Sequence, residues 1–216
     1  MPLTSKRVKV MVMMPDCLLT DDCARQELVK WQADRDTWAE TLPVMSFFSQ
    51  FLMLSPITDQ HFGSASTDGK FLYFCPRYSA TLTEESRLYL QAHLIWHCVA
   101  GHLTAPLVAS RHRWHLACDH EVNTLLLALG VALPVDAPLF PVCVGRNAME
   151  VYRWLEGHPD TSLEVTADTH PAELWWHLPN AQPDVRVAML WRHRAHLIAK
   201  ETNGLPERVA KFCEVR

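Results

Sequence analysis

The sequence predicts an α+β fold, mostly helical, with a small β-sheet or hairpin ahead of a long histidine-bearing helix. Apolar residues recur at three- and four-residue spacing over most of the chain, the pattern of amphipathic helices. One stretch, residues 62–75, departs from that period and reads as two extended runs around Asp68-Gly69. Of the 216 residues 49% are hydrophobic and 20% charged, a mix that supplies one substantial core. The expectation is a single domain over residues 1–216.

Residues 1–15 hold a short basic cluster and then an apolar run over 8–14. Lys9 interrupts that run, which is too short to span a bilayer and lacks a small-residue cleavage pattern, so it reads as a strand. Residues 21–42 read as a helix: Thr20 caps it, Asp21 and Asp22 suit its first turn, and Leu28, Trp31, Trp38 and Leu42 recur at helical spacing as core. Pro43 breaks the chain before a second apolar helix over 44–54. In the hairpin, Asp68-Gly69 supplies the positive φ of a tight turn, and Pro76 ends the aromatic strand that precedes it.

Thr83 caps the next helix, with Glu84 and Glu85 in its first turn, and the helix runs to about Gly101. Another spans roughly 113–129 and stops at Gly130. A proline-rich connection follows over 134–141, then a short helix over 146–157. A short element over 171–178 contains Trp175 and Trp176. Pro183 starts a long helix that ends near Asn203-Gly204, with one or two helical turns after it.

Charge and cysteine usage narrow the function classes. The formal net charge of -4 argues against a dominant surface for nucleic acid or anionic membrane. Arg186, Arg192, Arg194 and Lys200, near His193 and His196, read as a solvated helix face rather than a nucleic-acid-binding module. The 7 cysteines form no CxxC pair, which disfavours a zinc ribbon or a thioredoxin-like site. They read as buried thiols of a reducing, cytoplasmic setting. No run approaches transmembrane length, so no membrane partner is expected.

The chemistry is concentrated in histidine. His93, His97, His102, His112, His115 and His120 fall in one short stretch of a chain that has 12. Residues four apart share a helix face, so His93 and His97 can place two imidazoles on one metal ion. Zinc favours imidazole nitrogen in a tetrahedral shell and needs a further protein ligand. Asp119, on the following helix, is the choice: a reversal after Gly101 would bring it back across His97. His115, four residues before it on the same face, is the runner-up. His102 can be a ligand only if Gly101 bends the chain, and is otherwise an outer-shell or surface residue. Glu121, two past Asp119, should face away.

These residues carry a resemblance. Ile57-Thr-Asp59, Ser66-Thr-Asp68-Gly69-Lys70, Leu72-Tyr-Phe-Cys-Pro76, His93xxxHis97xxxxHis102 and Trp114-His-Leu-Ala-Cys-Asp119 with Asn123 follow in order. Together with residues 146–155 they resemble the putative-metallopeptidase domain of bacterial proteins, which usually precedes a von Willebrand factor A-like domain. The likeness covers residues 45–156. It implies a zincin-like fold and one zinc ion (Zn2+) held by His93, His97 and Asp119, with His102 and Asn123 around them. It also implies that Phe71, Leu72, Tyr73, Phe74 and Cys75 form the edge strand beside the cleft, where zincins pair an extended peptide.

One departure decides the activity expected. The family pattern is HExxH, and Leu94 stands where the glutamate would act as general base. Leucine transfers no proton, and losing such a base costs about 10²–10⁴-fold in rate. The expectation is a zinc-binding pseudopeptidase that recognises a peptide or protein partner. The alternative is an active hydrolase using His102, His115 or His120 as a substitute base. No von Willebrand-like module follows within these residues, so such a protein, or an AAA-type ATPase, is expected to act in trans. Imidazole plus carboxylate also suits divalent metals other than zinc.

Overall fold

The computed structural model describes residues 21–59, 61–158, 164–178, 181, 184–202 and 204–215. The strand expected over 8–14, the Thr20 cap, and the Pro183 and Asn203 boundaries lie outside them. Among the described residues the fold is mostly helical with one three-stranded sheet, the α+β class expected from the sequence. Among the described residues no helix is long and apolar enough to cross a membrane.

The chain begins with α1 (Asp21–Asp36), α2 (Trp38–Thr41) and α3 (Pro43–Ser49). The expected first helix is therefore broken at Thr37, and the expected second one stops early. Its last two residues open β1 (Met53–Pro56), which pairs in parallel with β3 (Phe71–Phe74). β2 (Ala65–Thr67) pairs with β3 antiparallel, so the strand order is β1-β3-β2. This corrects the edge-strand expectation: Phe71 to Phe74 form the central strand, Cys75 leads into α4 (Pro76–Ser79), and β2 is the edge. Pro76 does end β3, but β1 occupies the flank that was expected to be open.

The hairpin turn is built as its residues dictate. Asp68 Oδ1 accepts the Lys70 and Phe71 N–H groups at 2.8 and 2.7 Å, and Gly69 takes φ 83°. A Cβ on Gly69 would lie 2.6 Å from Val187 Cγ1 and 2.7 Å from Leu103 Cδ1. The Gly69 carbonyl accepts Trp191 Nε1–H at 2.8 Å, which ties the turn to α8 (Val185–Glu201).

α5 (Glu84–Ala100) is the axis of the molecule, with every side chain from Tyr89 to Ala100 buried. Thr83 caps it by accepting Ser86 N–H at 3.1 Å. Gly101, at φ 83°, closes it in the left-handed conformation, and His102 N–H turns back to the His97 carbonyl at 2.9 Å. α6 (Arg111–Ala128), capped by Ser110, packs along α5. α7 (Ala148–Glu156) opens with a capping box between Asn147 and Glu150 and covers α6. A 3₁₀ segment, Pro171–Trp176, and α9 (Glu207–Val215), which packs on α8, complete the chain.

The main core gathers around α5 and includes Trp31, Phe48, Phe74, Leu94, Trp96 and Trp191. Trp31 stacks on Phe74 with ring centroids 4.4 Å apart. Arg35 is buried within this layer. It donates to the Leu52 carbonyl at 2.6 Å, the Ser49 carbonyl at 3.2 Å and Gln91 Oε1 at 2.8 Å. That fork stitches α1 to the end of α3 and to α5, and so fixes the helix that carries the histidine pair.

Candidate metal centre

α5 presents His93 and His97 on one face, with their Nε2 atoms 2.9 Å apart. α6 brings Asp119 beneath them, its Oδ1 3.4 Å from His93 Nε2 and 3.3 Å from His97 Nε2. Asp168, from the loop before Pro171–Trp176, closes the group: Oδ1 lies 3.9 Å from His93 Nε2 and Oδ2 3.8 Å from His97 Nε2. One donor atom from each of the four residues lies within 4.8 Å of all the others, and all four residues are buried. In a tetrahedron with metal–ligand bonds of about 2.0–2.2 Å, neighbouring donors stand about 3.3–3.6 Å apart. The two contacts of Asp119 match that spacing.

The donor set also fits a cation on grounds of polarity. Both oxygens of Asp119 and Oδ2 of Asp168 are buried without a hydrogen-bond partner. Burying a carboxylate without compensation is expensive, and buried charges are paired or coordinate metals. These residues could therefore hold a metal ion.

Hydrogen bonds behind the imidazoles aim them. Asn123 Nδ2–H donates to the Pro138 carbonyl at 2.9 Å, which turns Asn123 Oδ1 toward His93 Nδ1, 3.1 Å away. Tyr89 OH donates to the same oxygen at 2.9 Å. Asn123 Oδ1 thus holds a proton on His93 Nδ1 and turns Nε2 toward the cluster. Burial opposes charge on this ring, but Asp119 and then Asp168 outweigh it and raise its pKa, and a metal ion would take the Nε2 position in place of that proton. His97 reaches the same state by a longer route. Glu121 Oε2 stands 3.1 Å from His102 Nε2, so His102 donates there and accepts at Nδ1. His97 Nδ1, 3.0 Å from His102 Nδ1, is the donor of that pair, and its Nε2 is free for a metal. Burial, with His93 beside it, holds the His97 imidazole well below its usual pKa and hence neutral.

His115 and His170 stand on the far side of the carboxylates. His115 Nε2 is 2.8 Å from Asp168 Oδ1 and 3.4 Å from Asp119 Oδ1. Burial opposes charge on His115, but the two carboxylates outweigh it and push its pKa up to about 9. The His170 ring lies 5.8 Å from His97 and 5.0 Å from His115, centroid to centroid, and its Nδ1 accepts Ala172 N–H at 3.1 Å. Burial, then His115, holds it well below the usual histidine range.

Residues 34–161 match the family model of the putative metallopeptidase domain. The chain belongs to that family. No curated protein and no solved structure matches it. The matched span takes in His93, His97, Asp119, His102 and Asn123, but stops short of Asp168 and His170.

The structure thus brings His93, His97 and Asp119 to one point and sets His102 and Asn123 behind the two imidazoles. Gly101 does bend the chain, yet it delivers His102 to the back of His97 rather than to the metal position. His115 touches the carboxylates. His120 is elsewhere: its Nδ1 accepts Phe140 N–H at 3.0 Å and its ring lies 5.5 Å from that of Phe140. Glu121 reaches the site through His102, and its Oε2 also accepts Ala148 N–H at 3.1 Å. Leu94 is fully buried in the main core. Asp168 and His170 escape sequence reasoning. Their one local signal is the polar run Thr166-Ala-Asp168-Thr-His170 just before a proline, and it says nothing about which helix it meets.

Proposed function

We propose that this chain is a zinc-binding, metallopeptidase-like domain that recognises a peptide or protein partner and does not cleave it. The observation that carries the metal reading is the convergence of four buried donors, His93, His97, Asp119 and Asp168, on one point, with both Asp119 oxygens making no hydrogen bond. Two imidazoles and two carboxylates suit zinc in a four-donor shell. A zinc ion bound there would supply Lewis acidity toward a carbonyl or a water.

The chain's own groups supply less than a peptidase requires. The position of the general base is leucine, packed into the core. Glu121 is committed to His102 and the Ala148 amide, and His115 is held by Asp168. Proton transfer at the metal therefore lacks a dedicated carboxylate, and this favours recognition over hydrolysis.

Untagged protein should carry about one equivalent of zinc by elemental analysis, in line with a single four-donor site. His93→Ala and Asp119→Ala should carry essentially none while keeping wild-type helical circular dichroism. Absence of zinc, cobalt or manganese after loading would overturn the metal reading. Chelator-sensitive cleavage of an unstructured protein such as casein, lost in His97→Ala, would overturn the non-cleaving one.

A further inference from the structure

The fourth donor of the metal centre arrives on a segment that occupies the edge of the sheet. Among the described strands, β2 pairs with β3 alone. On its other side the Ala65 carbonyl accepts Thr169 N–H at 2.9 Å. Ser66 Oγ–H donates to the Thr169 carbonyl at 2.6 Å, and Ser64 Oγ lies 2.7 Å from Thr169 Oγ1. Immediately before this pairing, Asp168 directs its carboxylate at His93 and His97. Immediately after it, His170 lays its ring against those of His97 and His115. Residues 166–170 thus run along a strand edge and across a metal-binding group, which is the course an extended peptide ligand would take.

How the segment is held distinguishes it from a core element. Its side chains at the site are Asp168, Thr169 and His170, and its one apolar residue there, Ala167, is only partly buried. Tyr78 OH holds the Ala167 carbonyl at 3.2 Å. Upstream, Glu164 and Val165 are exposed. Ala167 packs against the main core, and the rest of the segment is secured by hydrogen bonds and by the buried Asp168 and His170 side chains, with less apolar packing than fixes α5 and α6. Segments with few buried apolar contacts are the ones that open most readily.

We propose that residues 166–170 are a resident plug: they occupy the peptide-binding edge of β2, and Asp168 holds the metal position that an incoming ligand must take. The inference rests on the metal reading above. The ligand class that displaces the plug is an extended peptide that adds to β2 and offers a carboxylate or carbonyl oxygen to the metal. Such a ligand binds only the opened population, so its apparent affinity is lowered by the fraction of molecules that are open.

Access of a small oxygen ligand to the metal tests this. The full chain and Asp168→Ala are loaded with cobalt(II), whose visible absorption reports coordination, and titrated with acetohydroxamate. The loaded wild type should respond weakly, and the loaded Asp168→Ala should bind about 10- to 1000-fold more tightly, the range for an opened state populated at about 0.1–10%. Thr169→Pro, which keeps all four donors but removes the N–H on Ala65, should shift the titration in the same direction and guards against misfolding of the first variant. Equal titration curves for wild type and both variants would overturn the plug while leaving the metal centre standing. Loss of cobalt from Asp168→Ala alone would make Asp168 a fixed structural ligand and also overturn it. A wild type that takes up no cobalt would fail the metal reading itself, and the plug with it.

Discussion

Leu94 follows His93 on α5, and its side chain is wholly enclosed by the main apolar core. Restoring a glutamate there would bury a carboxylate among hydrocarbon groups, for which an uncompensated charge costs about 3–5 kcal/mol. Leu94→Glu is therefore expected to lower the urea midpoint sharply and to gain no peptidase activity, whereas Leu94→Met should cost under about 1.5 kcal/mol. Equal midpoints for the two variants would contradict this packing. Asn123 acts on the centre differently, by setting the tautomer of His93. Asn123→Ala should weaken zinc binding about 10- to 100-fold in a competition with a chromogenic chelator. An unchanged affinity would show that the Asn123 contact does not orient the ring. His93, His97 and Asp119 are legible because a four-residue spacing and a following helix are local facts of the chain. Asp168 is not, since its place depends on where a distant loop crosses β2.

At the scale of elements, the turn between β2 and β3 is constrained both by its backbone conformation and by its neighbours. Gly69 combines a left-handed φ with side chains of Val187 and Leu103 where a Cβ would sit. Gly69→Ala should destabilise by roughly 2–4 kcal/mol, combining the left-handed penalty with overpacking, and equilibrium urea unfolding measures it. A loss below about 0.5 kcal/mol would mean that α8 yields freely. The turn is legible from Asp68-Gly69, as α5 is from Thr83 and Gly101, because each signal sits within a few residues of what it specifies. β1 is not legible. Met53-Leu-Ser-Pro56 continues an apolar helical pattern from Phe51, and only its parallel partner, Phe71 to Phe74, makes it a strand. That same pairing moves β3 from the edge to the centre, so one non-local contact accounts for both departures.

For the molecule as a whole, the metal centre joins α5, α6 and the 166–170 segment, so occupancy should be felt by the global fold. Zinc at about 100 times its dissociation constant should add about 2.7 kcal/mol and raise the thermal midpoint of wild type, with no shift in Asp119→Ala. Equal shifts in both would place the binding elsewhere. The thiols follow from the same enclosure. Burial pushes the Cys98 thiol up to about 12 and the Cys213 thiol up to about 11. Near pH 8 so little thiolate forms that peptide mapping after iodoacetamide should find both unmodified in native protein and modified after unfolding.

Trp175 and Trp176 end the 3₁₀ segment that follows His170, both partly exposed, and the Arg111 guanidinium lies 4.1 Å over the Trp176 ring. A rearrangement that draws His170 away from His97 and carries the 3₁₀ segment with it would move this indole pair against a cation that quenches or shifts its emission. The chain therefore carries its own optical gauge. The difference in tryptophan fluorescence between wild type and Trp176→Phe would follow opening in real time, with no dye attached.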